Sequence, residues 1–141
     1  MIKSKKYKGI DYDSIEEVLF ATWLDCMQSI RIVEKYEYHS ETFKLILKKP
    51  IVKLRELNYT PDFIIYYTGN KTPVYVDIKG TYSKFSDSKY FSTIQKVTYE
   101  LKGIYVQKVV IPTFFENSFY PPPYKGKKYN TFEQYRKEKL L

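Results

Sequence analysis

Asp62, Asp77 and Lys79 are the residues of this chain whose types and spacing could do chemistry. Two runs rich in β-branched and aromatic residues, 62–67 and 73–79, flank Gly69-Asn70, a pair suited to a two-residue turn with glycine first. With Thr68 paired to Lys71, counting outward sets Asp62 opposite Asp77, with Cβ atoms about 4.5–5.5 Å apart. Like charges so placed repel unless a cation lies between them. Phe63, Ile65 and Tyr67 then share one face with Val74, Val76 and Ile78, an apolar surface to bury, while Asp62, Asp77 and Lys79 share the other. Charges gathered against their own repulsion point to a functional cluster rather than a solvated face. Hard carboxylate oxygens suit Mg²⁺, and a lysine beside them suits metal-assisted attack on a phosphate ester.

These residues must be held by a chain of 141 residues, enough for one compact domain with a real core and too short for two ordinary ones. The expected organisation is a single domain over 1–141, with a basic arm over 1–8 and a Pro/Tyr-rich extension over 112–141. A net charge of +8 favours a polyanionic partner such as DNA. Cys26 is the only cysteine and His39 the only histidine, which argues against a zinc finger or Cys/His catalysis and for a cytoplasmic, intracellular chain. No apolar run is long enough to span a bilayer, so no membrane association is expected.

A helix over 14–29 precedes the acids, with Ser14 as N-cap and Glu17 in position to close a capping box. Its apolar arc is Ile15, Leu19, Thr22, Trp23, Cys26 and Ile30, and Glu16 lies nearer the edge of that arc than Glu17 does. Segments 32–38 and 42–57 read as extended, the second with Phe43, Leu45 and Leu47 in alternation. After the acids, Tyr82 and Lys84 fall in a loop at the edge of the proposed site. A helix over 86–101 or 87–101 follows, with Tyr90, Ile94, Val97 and Leu101 on its buried side and Gly103 as its stop. A buried strand over 104–111 completes the order helix, three strands, helix, strand.

Lys89 and Lys96 share a face of the late helix, as phosphate contacts or as a solvated basic face. Gln95 and Tyr99 on the same helix have the Gln-x-x-x-Tyr spacing of some nucleases, which ordinary surface residues also explain. The 16 tyrosines are spread evenly, as in strands and cores, and Tyr59 and Tyr82 beside the acids are the ones placed to stack on bases. The segment 119–124 reads as extended and polyproline-like, and a short last helix from Thr131 carries Phe132 and Tyr135.

Pro61-Asp62 and Asp77-Ile78-Lys79, preceded by Ser14-Ile15-Glu16-Glu17-Val18-Leu19-Phe20-Ala21 with Trp23 and Leu24, resemble the PD-(D/E)XK nuclease superfamily. The likeness is greatest to its small phage-encoded endonucleases, including Holliday-junction resolvase-like proteins, and covers roughly residues 9–111. It implies an α/β, restriction-endonuclease-like core, a mixed central sheet flanked by helices in the order α-β-β-β-α-β. It implies a Mg²⁺-dependent DNA endonuclease, with Mn²⁺ able to substitute, that hydrolyses phosphodiester bonds to leave a 5′-phosphate, either on branched DNA or as a nickase. Asp62, Asp77, Glu17 and the carbonyl of Ile78 would hold the metal, Lys79 would stand beside the attacking water, and Tyr82, Lys84, Lys89 and Lys96 would contact nucleic acid. The family pattern selects Glu17 where periodicity alone selects Glu16. A homodimer and a phage-encoded origin in a bacterial host are expected from the same relatives. The alternative is a non-catalytic nucleic-acid-binding or assembly module that retains the fold.

Overall fold

The computed structural model describes residues 5–80, 85–111, 113–116, 118, 134 and 137. They form a mixed α/β chain whose elements are β1 (Lys6–Tyr7), β2 (Ile10–Asp11), α1 (Ile15–Ser29), β3 (Val33–Tyr38), β4 (Phe43–Ile46), β5 (Leu57–Tyr59), β6 (Phe63–Tyr67), β7 (Val74–Lys79), α2 (Phe85–Lys102), β8 (Val106–Val110) and α3 (Thr113–Glu116). Strands β3, β6, β7 and β8 make a four-stranded sheet in that spatial order, and β1-β2 and β4-β5 are separate two-stranded ribbons. Between α1 and α2 the chain forms five strands, β3 to β7, where three were expected, because the segment 42–57 folds into the separate β4-β5 ribbon; β8 follows α2 as expected. Tyr82, Lys84, residues 119–124 and, apart from Gln134 and Lys137, the helix expected from Thr131 fall outside the described residues.

The β6-β7 register is the one expected, with Phe63 opposite Val76, Ile64 opposite Tyr75 and Ile65 opposite Val74. The turn that joins them is different. Thr68 and Lys71 do not pair; the Asn70 N–H donates to the Tyr67 carbonyl at 3.1 Å, and Gly69 has φ +80. Glycine thus sits at the third position of a type II turn rather than at the second position of a type II′ turn. Such turns splay the strands they join, so the ladder stops at Ile65 and Val74, and Asn70 Oδ1 caps the loop by accepting from the Thr72 N–H at 3.0 Å. The added loop residues divide evenly between the two strands, which preserves the register.

The described residues divide into two compact units. One holds 5–34, 78–80 and the described residues from 109 onward. Its centre is α1, whose start is fixed by the expected capping box: Ser14 Oγ accepts the Glu17 N–H, and Glu17 Oε1 accepts the Ser14 N–H, each at 3.2 Å. The helix buries far more than the expected arc, from Glu17 through Leu24 and again at Met27, whereas Ile30 is exposed. Phe114 covers part of it, its ring edge-on to Phe20 and Trp23, and the Trp23 indole N–H donates to Ser118 Oγ at 2.9 Å. This packing comes from residues assigned to an extension, which is why a one-sided helix was expected. The basic arm is folded from Lys5 onward: β1 and β2 turn through Lys8 and Gly9, both with positive φ as a type I′ hairpin requires, and Lys8 pairs with Asp25 at 3.1 Å.

The other unit holds 35–77 and 85–108. Phe43, Leu45 and Ile94 form its apolar cluster, joined by Leu57, Tyr59, Tyr75, Val97 and Ile104. The buried stripe of α2 is Phe91, Ile94 and Thr98, while Tyr90 and Leu101, expected inside, are exposed. Thr98 can occupy the core because its Oγ1 donates to the Ile94 carbonyl at 2.7 Å, which removes the cost of an unpaired hydroxyl. Helix α2 stops where expected, at Gly103 with φ +69, whose N–H reaches the Tyr99 carbonyl at 2.9 Å.

Candidate functional site

Asp62 lies in the bend just before β6 and Asp77 lies on β7; the paired ladder ends at Phe63–Val76, and its register extended by one step sets the two acids opposite one another. Asp77 is buried, 5% exposed, and Asp62 is half-buried. Phe63, Ile64 and Ile65 are all buried, so this end of the hairpin is covered on both faces. The acids therefore lie in surroundings where their mutual repulsion is screened less than at a surface.

Tyr59 and His39 bond to them. The Tyr59 hydroxyl donates to Asp77 Oδ1 at 2.8 Å. Burial first, then the charge of Asp77 and its hydrogen bond, and lastly the charge of Asp62, hold the Tyr59 hydroxyl far above the usual tyrosine range. Tyr59 thus feels both carboxylates and remains a donor. Its half-buried ring packs against the Phe43–Leu45–Ile94 cluster. His39 is the second neighbour, with Nε2 3.2 Å from Asp62 Oδ1, its backbone N–H 3.1 Å from the Asp62 carbonyl, and Tyr38 stacked on its ring at 3.8 Å between centroids. Its φ of +52 is uncommon for a side-chain-bearing residue, although histidine is enriched there.

His39 was set aside in the sequence as solitary. Its partner is 23 positions away, so no local spacing could reveal it. The only available signal was its place just after a β-rich run that precedes the acids.

Lys79 is two residues beyond Asp77 on β7, and alternate residues of a strand project to the same side. Its carbonyl accepts the Ile111 N–H at 3.0 Å, which anchors this end of the strand. Ile78 between them is buried. Of the two helix acids, Glu17 is buried and its Oε1 also accepts the Asp13 N–H at 2.9 Å, so it serves the helix cap. Glu16 lies beside the residue after Lys79: a Cβ built on Gly80 would lie 3.4 Å from Glu16 Oε1.

The other candidates lie on α2. Lys89 and Lys96 are both exposed, as either reading required. Gln95 donates to the Val106 carbonyl at 2.7 Å, a tie between α2 and β8, and together with Lys96, Tyr99, Glu100 and Tyr105 it lines a groove of about 410 Å³.

Among the groups around Asp62 and Asp77 are the Tyr59 hydroxyl and the His39 imidazole; the carboxylate oxygens suit a hard divalent cation, whereas an imidazole suits a transition metal. No protein-family model matches this sequence, and no match was found among curated proteins or among solved structures.

Proposed function

We propose that the chain is a Mg²⁺-dependent DNA endonuclease of the PD-(D/E)XK type, with a restriction-endonuclease-like core. The observation that carries this reading is the β6-β7 register, which opposes Asp62 and Asp77 in buried surroundings with a hydroxyl donor on one and an imidazole on the other. A hairpin with no task for these acids would gain stability by losing either.

In this reading Asp62, Asp77 and the Ile78 carbonyl hold the ion, with Glu17 as the carboxylate from α1. When bound, the ion would polarise the phosphoryl oxygen and lower the pKa of a coordinated water. Tyr59 and His39 keep the two aspartates in position, so that little side-chain entropy is lost when a ligand is taken up. The Lys79 ammonium, on the Asp77 side of β7, orients the attacking water and offsets negative charge as it builds on the phosphorane. Exposed Lys89 and Lys96 contact phosphates, together with Tyr82 and Lys84.

The test is a panel of linear, nicked, flapped and four-way DNA incubated with Mg²⁺ or Mn²⁺. Cleavage that needs the ion and disappears in Asp77→Asn is expected. Wild-type cleavage by Asp77→Asn would overturn the two-carboxylate site and leave a nucleic-acid-binding module.

A further inference from the structure

The β4-β5 hairpin carries an apolar and basic tip that the proposed site does not use. Beyond the paired residues Phe43–Tyr59, Lys44–Asn58 and Ile46–Leu57, the chain continues outward to a second closure in which Lys49 and Leu54 exchange both backbone hydrogen bonds, at 2.9 and 3.0 Å. They close the loop Pro50-Ile51-Val52-Lys53, pinned by the Lys53 N–H on the Pro50 carbonyl at 3.2 Å. Lys53 has φ +55, a conformation that glycine or asparagine adopts far more readily than lysine. The tip is therefore a formed structure that keeps a cation where a neutral turn residue would be easier.

Its surface is unusual in two ways. Ile51 is 99% exposed, and Leu47, Val52 and Leu54 are each more than half exposed. Single exposed apolar residues are ordinary, but several on one short projection mark an interaction site. Lys48, Lys49, Lys53 and Arg55 alternate with them, all exposed and without an ion pair among the described residues. Glu56 is the only acid of the segment. A second copy docking the same tip would bring these cations together, because an isologous contact sets like patches face to face. A polyanion with an accessible apolar face satisfies both features, and nucleic acid whose base stack is interrupted has that surface.

We propose that the 47–55 tip is a DNA wedge: Ile51 and Val52 pack on the open face of a base at a gap or flap, while Lys48, Lys49, Lys53 and Arg55 contact the flanking phosphates. The proposal rests on the nuclease reading for its partner and adds the substrate class, duplex DNA with a broken stack.

The experiment measures binding of the full chain to a labelled intact duplex and to the same duplex with a short central gap, by fluorescence anisotropy in EDTA, so that no cleavage is required. Wild type should favour the gapped duplex by about tenfold, the scale that burying a good part of an isoleucine side chain supplies. Ile51→Ser should lose that preference with little change on intact duplex. Lys49→Gln/Lys53→Gln should weaken both duplexes alike and reduce the slope of log K against log salt by about two. Thermal melts check that each variant folds, which substitutions at exposed tip residues should permit.

An unchanged gapped-to-intact ratio in Ile51→Ser, or an unchanged salt slope in the lysine variant, would overturn the wedge. So would Ile51-dependent binding to phosphatidylserine vesicles without discrimination between the duplexes, or a dimer in sedimentation that Ile51→Ser converts to monomer. A wedge that discriminates in EDTA while Asp77→Asn cleaves normally would sink the catalytic site alone; the reverse pattern would sink the wedge alone.

Discussion

Replacing Asp77 by asparagine should stabilise the metal-free protein. Cross-strand neighbours have Cβ atoms about 5 Å apart, and two unit charges at that separation repel by about 3 kcal/mol at an effective dielectric of 20. Asparagine keeps the size of the side chain and an oxygen to accept from Tyr59, but that hydrogen bond loses its charge assistance, worth about 1 kcal/mol. The net gain is about 1–2 kcal/mol. For a chain of this length that raises Tm by about 3–6 °C in EDTA. Added Mg²⁺ should raise the wild-type Tm, with about 1.4 kcal/mol gained at tenfold excess over Kd, and should move the variant little. Differential scanning calorimetry with and without the ion reads both effects. If Asp77→Asn instead lowers the metal-free Tm, the carboxylate is already neutralised within the fold as a structural partner, and the argument that its repulsion marks a cation site fails.

Lys79→Ala should keep the Mg²⁺-induced rise in Tm yet lose at least about a hundredfold in cleavage rate, since it removes the charge beside the water and not a ligand; single-turnover kinetics alongside the melt would expose a loss of both instead. Tyr59→Phe should lose stability less steeply than wild type in alkali. The folded hydroxyl is held above the unfolded value near 10, so its contribution is complete below that pH and is lost above it, by at most about 1.4 kcal/mol per pH unit, as urea midpoints on either side of pH 10 would record. Glu17→Ala should cost about 1 kcal/mol through the lost helix cap, whereas Glu17→Gln should melt near wild type because its amide oxygen can still accept from Asp13 and Ser14; cleavage by Glu17→Gln at the wild-type rate would remove Glu17 from the metal site.

What was legible in the sequence was local. Ser14 and Glu17 announce the start of α1 because a capping box is made within four residues, and the 62–67 and 73–79 runs announce two paired strands, although both faces of the hairpin are buried at Phe63–Ile65 where one apolar face was expected. Turn chemistry was legible only in part: Gly69 has the expected positive φ, yet at a different turn position. Packing between distant segments was not legible. Nothing near α1 tells that Phe114 and Ser118 will cover it, so an arc was expected where an almost fully buried helix is found. The α2 stripe was misread because Tyr90 and Leu101 look more apolar than Thr98, while the bond that lets Thr98 go inside depends on helix geometry. His39 and the 47–55 tip belong to the same class, since one depends on a partner 23 positions away and the other on a hairpin closing within what read as one extended segment.

The adjacent acids at the start of α1 divide the work differently from what either pattern suggests alone. Capping and metal binding looked like rival explanations of Glu17. Two backbone N–H groups, those of Asp13 and Ser14, bond to Oε1 of Glu17. They fix the rotamer, which spares a ligand the entropy of ordering a long side chain and is the kind of support a precise site requires. The cap can thus be the device that presents the ligand. Glu16 does not take part in that cap; its carboxylate lies near Gly80. A cation held through Glu17 would rest on a preset group, whereas one held through Glu16 would have to order it first, and that difference in ordering cost is the physical reason to assign the helix carboxylate to Glu17 even though periodicity turns Glu16 toward the apolar arc.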